Sequence, residues 1–519
     1  MSILKTDIRN LVYKLCEGRE VPLLVTDIIA GLLVHRDLFT INTLSRTLNA
    51  QANAIIYRDV VVNLDGTDHA VTRASLLFRT LLTNDTAAQA VHSLSLAGDP
   101  LREWRHERLL SSGESIKEAM RGIILPATHA DLTAFTKIEI ELYRQIKSSS
   151  STSMRSPSSK IPVWALYLNL LRFAPHVQHF SVSSDYFRSP GFPKTLRGII
   201  RYSSTAKLWS CDLCLDLTHG RQRHISAVGE WDDAVLSAFA VPGIQSIAAV
   251  VSLKSHAVRW LRPGGSSVTR LELHHWQTGD VDLSSLLAAT QSLKYLKYHI
   301  TTDYGQLNPP WGGEATPGRR EGLDFLYDAL HSVSGSLEEL HISHDVDEDI
   351  IHYSPGFGMG YEILFRRTAE LSGLKRLHAL TIPYMALLGC ARYGYACDWD
   401  NVLPSSLRRI VLNDNLTEIY QLAEWTDETL MPVFSSLLEW LSATERGEQT
   451  AEFGLKLALL DEDFNEPERQ ELFRMCKERG VRCSIKKVHA DRAKRPNIWI
   501  PRGRGGGGMG RGRGRGSGA

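Results

Sequence analysis

One spacing constrains this chain more than any other feature. The pattern φxxφxφ, with φ a large apolar residue, sets Val268, Leu271 and Leu273 in VTRLELHHW, then Leu293, Leu296 and Tyr298 in LKYLKYHI. It returns at Val91, Leu94 and Leu96, at Val177, Phe180 and Val182, and at Leu337, Leu340 and Ile342. Leu377, Leu380 and Ile382 make another copy, and Leu407, Ile410 and Leu412 a seventh. The final half of each copy alternates apolar with other residues, which is the period of a half-buried strand.

Helical segments fall between these strands. DLSSLLAAT (282–290) opens on an Asp cap. EGLDFLYDALHSVSG (321–335) is amphipathic and ends at Gly335. DETLMPVFSSLLEWLSATERG (427–447) carries a long apolar stripe. A strand–helix unit that recurs at roughly 25 to 45 residues reads as a stacked repeat. Such a unit cannot bury its own apolar face, so neighbours bury one another's and the core becomes a column. The alternative is an ordinary α/β domain with a few parallel strands. At 519 residues and 43% apolar content the chain has material for either.

The first sixty-odd residues differ. Apolar spacing is helical at Leu24, Ile28 and Leu32, then at Leu38, Ile41, Leu44 and Leu48, and it closes on the β-branched run Val60–Val62. So short a helical unit needs a partner to bury its core.

Two resemblances attach here. The strand pattern resembles irregular leucine-rich repeats, with insertions between rungs. Val21-Pro22-Leu23, Arg36-Asp37-Leu38, Ser45-Arg46 and Ile56-Tyr57-Arg58 resemble the Leu-Pro opening, RDL turn, SR step and LYR close of a fungal-type F-box. LLFRTLLTNDTAAQAVHSLSL resembles the link from such a box to its repeats. Together they imply an α/β chain in three parts: an F-box-like helical unit at 1–64, an irregular leucine-rich-repeat solenoid at 65–487, and a basic RG-rich tail at 488–519. Parallel strands would line the concave face, with helices outside.

The resemblance further implies docking on the Skp adaptor of a cullin–RING ubiquitin ligase. Pro22, Leu23, Ile28, Leu32, Leu33, Leu38 and Leu44 are the candidates for that face. The chain would then be the ligase's substrate-recognition subunit, a monomer outside the complex, working in the cytoplasm or nucleus. A leucine-rich-repeat scaffold without a ligase is the alternative.

Strand geometry supplies the partner-binding candidates. Residues beside the buried pair face the other way. These are Arg270, Glu272 and His274 on one rung, Tyr295, Lys297 and His299 on the next, and Glu339, His341 and Arg409 beyond them. The partner expected there is a protein substrate.

From Lys486 to Ala519, ten Lys and Arg face one acid, Asp491. That is +9, so the overall +1 leaves −8 for the rest of the chain. Arg502, Arg504, Arg511, Arg513 and Arg515 stand among glycines, a setting in which guanidinium groups contact phosphates or stack on bases. Weak RNA contact through this tail is a third reading. Two further stretches, Ser-rich 147–160 and turn-rich 308–320, read as disordered insertions.

Other motifs carry less. Cys211, Cys214, His219 and His224 have knuckle-like spacing. The surrounding alternation of Trp209, Cys211, Leu213, Leu215 and Leu217 instead marks a strand, which sends the two thiols to opposite faces. SHDVDEDIIH has a D-x-D-x-D start but Ile350 and Gly356 where an EF-hand needs Gly and Glu, so Asp345–Asp349 reads as a solvated loop. Gly356, Gly358 and Gly360 do not form G-x-G-x-x-G. No G-x-S-x-G, P-loop or H-E-x-x-H occurs. The expectation is a non-enzyme without metal or cofactor. The seven cysteines form no tight framework and the start lacks a leader pattern, as expected of a reduced intracellular chain. The longest apolar run is too short for a bilayer span.

Overall fold

The computed structural model describes residues 55–64, 84–98, 174–183, 208–215, 228–251, 261–277, 282–302, 323–346, 370–388, 398–413, 427–443, 450–457 and 466–487. A few single positions near 77–81, 171 and 192–200 are described as well. Twelve strands form one open sheet in chain order, β1 to β12, and every pair is parallel. They are β1 (Asp59–Leu64), β2 (Ser93–Gly98), β3 (His179–Ser183), β4 (Ser210–Leu215), β5 (Ser246–Val251) and β6 (Arg270–Gln277). The rest are β7 (Tyr295–Thr302), β8 (Glu339–Val346), β9 (Ala379–Pro383), β10 (Arg409–Asn413), β11 (Glu452–Leu457) and β12 (Arg482–Lys487). Parallel neighbours need a crossover each time, and helices supply several. These are α1 (Asp85–Ala90), α2 (Val228–Phe239), α3 (Leu283–Ala289), α4 (Asp324–Leu330), α5 (Tyr384–Leu388), α6 (Trp399–Val402), α7 (Asp427–Ala443) and α8 (Glu466–Glu478). The architecture is α/β and solenoid-like.

All seven copies of the apolar pattern are rungs. The register sets Leu271, Leu296, Leu340 and Leu380 side by side, then Leu273, Tyr298 and Ile342, and each is buried. One contiguous cluster of buried residues runs from Val60 to Val481. At several rungs the first apolar place closes the turn before the strand. Leu293 N–H donates to the Thr290 carbonyl at 2.9 Å, and Leu377 and Leu407 make the same backward bond.

A carbonyl ladder then locks consecutive rungs together. The Thr269 carbonyl accepts from the N–H groups of both Lys294 and Tyr295, and the Lys294 carbonyl from Glu338 and Glu339. The series starts at Arg58 and runs to His378, which serves Arg408 and Arg409. At β11 and β12 one N–H makes the junction instead, Glu452 to Arg408 and Arg482 to Ala451.

The helices expected from sequence are present within shorter bounds. α3 starts where Asp282 caps it, accepting from Ser285 N at 3.1 Å. The stretch 321–335 divides into α4 and a 3-10 turn, His331–Val333. α7 covers most of 427–447.

Two local expectations are corrected. Asp345 does not lie in a loop: β8 runs through Val346 and pairs Asp345 with Thr301. Trp209 does not follow the inward parity of Cys211 and Leu213. It precedes β4 and is 50% exposed, edge-on to His179 at 5.5 Å. Cys211 and Cys214 both lie in β4, and burial pushes the Cys211 thiol up. His219, His224, the glycines at 356–360, the insertions 147–160 and 308–320, the docking candidates between Pro22 and Leu44, and the tail arginines lie outside the described residues.

Candidate interaction surface

Alternation along each strand separates two chemistries. The core side takes mostly Leu, Ile, Val and Phe, with Tyr298, His275, Cys211 and Cys483 among them, whereas the opposite, open face takes nearly every charge the strands carry. Register fixes its rows. Arg270, Tyr295, Glu339, Ala379, Arg409, Glu452 and Arg482 form the first. Glu272, Lys297, His341, Thr381, Val411, Gly454 and Ser484 form the second. In a third row His274, His299 and Ser343 stand together, and Asn413, Lys456 and Lys486 form a separate group.

Glu272 is the hub of the central part. It accepts from Arg270 at 2.6 Å and from Lys297 at 3.3 Å, and its side chain is 22% exposed. Burial alone would raise its carboxyl. The hydrogen bond from Arg270 and the charge of Lys297 outweigh burial and hold it below the usual carboxylate range. Arg270 also lies over the Tyr295 ring, 3.6 Å from its centre. Tyr295 then tilts against His341, 5.2 Å between ring centres.

Histidines continue the surface. His274 and His299 are 5.1 Å apart, and His299 Nδ1 shares a 2.7 Å hydrogen bond with Ser343 Oγ. His341 is held below the ordinary imidazole value, first by burial. Glu339 at 3.7 Å pulls it up, while the charges of Lys456 and Arg409 push it down. Burial raises Tyr295, with Glu272 adding to it.

The sequence candidates therefore meet in one patch, except Arg409. Ala379 separates it from Glu339, and it joins Glu452 at 3.7 Å, with Arg482 on the same carboxylate at 2.5 Å. Sequence reasoning missed Glu452, Lys456, Arg482 and Lys486, because β11 and β12 lack the full apolar pattern; it passed over Ser343 on β8, whose partner His299 it had named. It also missed the β1–β4 end, where Ser95 and Ser181 share a 2.6 Å hydrogen bond and Val61 is 66% exposed.

Surface ion pairs are worth about 0.2–1 kcal/mol each, so this network adds little to stability. Its effect is to fix Arg270, Tyr295 and Lys297 in place. Arg and Tyr held rigidly are the residue types that carry binding energy in protein interfaces. Among the described residues no group of three or more His, Cys, Asp or Glu is placed to hold a metal, and no helix is long and apolar enough to cross a membrane. Comparison with protein-family models and with curated proteins finds no match.

Proposed function

We propose that this chain is a protein-interaction adaptor: an irregular leucine-rich-repeat solenoid that holds a protein substrate on its open face. In this reading the F-box-like unit docks on the Skp adaptor, so the chain serves as substrate-recognition subunit of a cullin–RING ubiquitin ligase. It does no chemistry itself and brings the target close to the catalytic subunits. The observation that carries the first half is the pre-ordered patch of Arg270, Glu272, Tyr295 and Lys297 on the sheet face opposite the apolar core. The resemblance of 21–58 to an F-box supports the second half.

A scaffold without a ligase is the second reading. It is favoured by the way β1, the last six residues of that unit, pairs with β2, which suits a cap on the end of the column.

Affinity capture of the full-length chain from its own cells, read by mass spectrometry, tests the adaptor reading. Leu23→Asp with Leu33→Asp is expected to remove the Skp adaptor and leave the substrate bound. Arg270→Ala with Tyr295→Ala is expected to do the reverse, weakening substrate binding by about 2 kcal/mol or more. A wild-type chain that captures substrate but never the Skp adaptor refutes the ligase half and leaves the scaffold.

A further inference from the structure

We propose that the β10–β12 end of the open face binds an acidic stretch of a protein partner, whose carboxylates meet Lys456 and Lys486. The inference deepens the adaptor reading and rests on its claim that this face holds protein.

Nine side-chain positions make up this end. In the first row Arg409 and Arg482 share one carboxylate, Glu452. In the third row Lys456 and Lys486 are direct register partners, beside Asn413. Four cations thus face one acid. Like charges placed opposite each other on neighbouring strands are destabilising. Burial lowers Lys456 first, and the charges of Arg409 and Lys486 lower it further, so these cations sense one another across the sheet. An anion between the rows relieves that repulsion.

The second row leaves room for one. It holds Val411, Gly454 and Ser484, none with a long side chain. A Cβ on Gly454 would meet Val411 Cγ2 at 3.0 Å and Ser484 Oγ at 3.3 Å, so the glycine keeps the floor low. The cation rows lie four strand residues apart, about 13 Å, which matches side chains four residues apart on one face of an extended peptide, with the side chain between them over the low second row.

The same face argues against RNA as the ligand. Single-stranded RNA is held by stacking on exposed aromatic rings as well as by cations. No aromatic residue occupies any of the nine positions, and Arg270 already covers the ring of Tyr295. Carboxylates on a peptide need only the cations.

Fluorescence anisotropy on the full-length chain tests this with a labelled peptide of six Glu-Gly repeats. Binding is expected, weaker at 200 than at 50 mM NaCl, as for any exposed charge contact. K456M with K486M keeps the aliphatic stems and is expected to lower affinity about tenfold or more. G454A raises the floor without removing charge and is expected to weaken binding as well.

Thermal melts check the fold. K456M is expected to melt no lower than wild type, since it removes a repelled charge, and K486M alone on the edge strand is the fallback. Unchanged affinity in the folded Lys variants overturns the proposal. So does peptide binding that is lost when Arg502, Arg504, Arg511, Arg513 and Arg515 become Ser. Lys456-dependent binding of an oligouridylate more tightly than the peptide also overturns it. Binding that emerges only after Asp347, Glu348 and Asp349 are neutralised assigns the site to the chain's own acidic segment, and again overturns it. If the peptide fails while R270A with Y295A still abolishes substrate capture, this inference falls and the adaptor reading stands.

Discussion

Leu296→Ala tests whether the twelve strands share one column of core. Leu296 is fully buried in the middle of the sheet, with Leu271 on one side and Leu340 on the other, both also fully buried. Truncating a buried Leu costs about 2–5 kcal/mol, and the cost rises with the cavity left behind. Here the neighbours hang on hydrogen-bonded strands on both sides and cannot close the gap, so a value near 4 kcal/mol is expected.

Ile485→Ala is the control. Ile485 occupies the same kind of inward place on β12, but it is only half-buried and has one strand neighbour, Leu455. With one interface lost instead of two, about 1.5–2 kcal/mol is expected. Urea unfolding followed by circular dichroism gives the midpoints, and hydrogen exchange gives the location. A repeat array need not unfold in one step, so the exchange map is the sharper readout. Leu296→Ala should loosen β6, β7 and β8 together, whereas Ile485→Ala should fray β11 and β12 alone. Equal losses for both variants, or loosening confined to β7 in the first, would refute a shared column.

Three further substitutions probe single contacts. Glu272→Gln is expected to cost less than about 1 kcal/mol at neutral pH. Glu272 sits below its ordinary value when folded, so its contribution is present above the carboxylate range and is lost as pH falls through the folded value. The variant should therefore show a flatter acid limb when melting temperature is plotted from pH 7 to pH 3. Gly480→Ala places a side chain at φ +66°, just after α8, and is expected to lower stability by about 1 kcal/mol in the same urea assay. Tyr298→Phe removes the buried 2.7 Å hydrogen bond between the tyrosine hydroxyl and His275 Nδ1, at a cost of about 1–2 kcal/mol. No change in its urea midpoint would mean that this bond is not made in solution.

The sequence shows the rungs best where large residues fill all three inward places. β5 follows the same spacing at Ile244, Ile247 and Ala249, all buried, but alanine is too common to mark a strand. β4 uses Leu208, Cys211 and Leu213, and β1 uses half-buried Tyr57 with Val60 and Val62. β11 and β12 break the spacing itself. Their lead-in residues, Ala451 and Val481, are buried one place later than the pattern predicts, in the two rungs where a single N–H makes the junction. The missed cations follow from this: Lys456 and Lys486 can be placed on the open face only once register is known. The central patch was legible because β6, β7 and β8 keep perfect spacing, so parity alone assigns Arg270, Glu272, Tyr295, Lys297 and His341 to one face.

Stacking also explains why the open face changes character along the chain while the core does not. An inward residue must fit two neighbours at once, so Leu271, Leu296 and Leu340 constrain one another. An outward residue faces solvent and answers only to charge and size. Small hydroxyls at Ser95 and Ser181 can therefore give way to the Glu272 network, and that network to Lys456 and Lys486, without disturbing any rung. The pairs on this face contribute too little to folding to explain their ordering as a stability device. Lys456 beside Lys486 opposes folding at neutral pH, since its folded value is lowered and the penalty is relieved only as pH rises through it. Charges kept against the chain's own stability are what the proposed partner-binding role calls for.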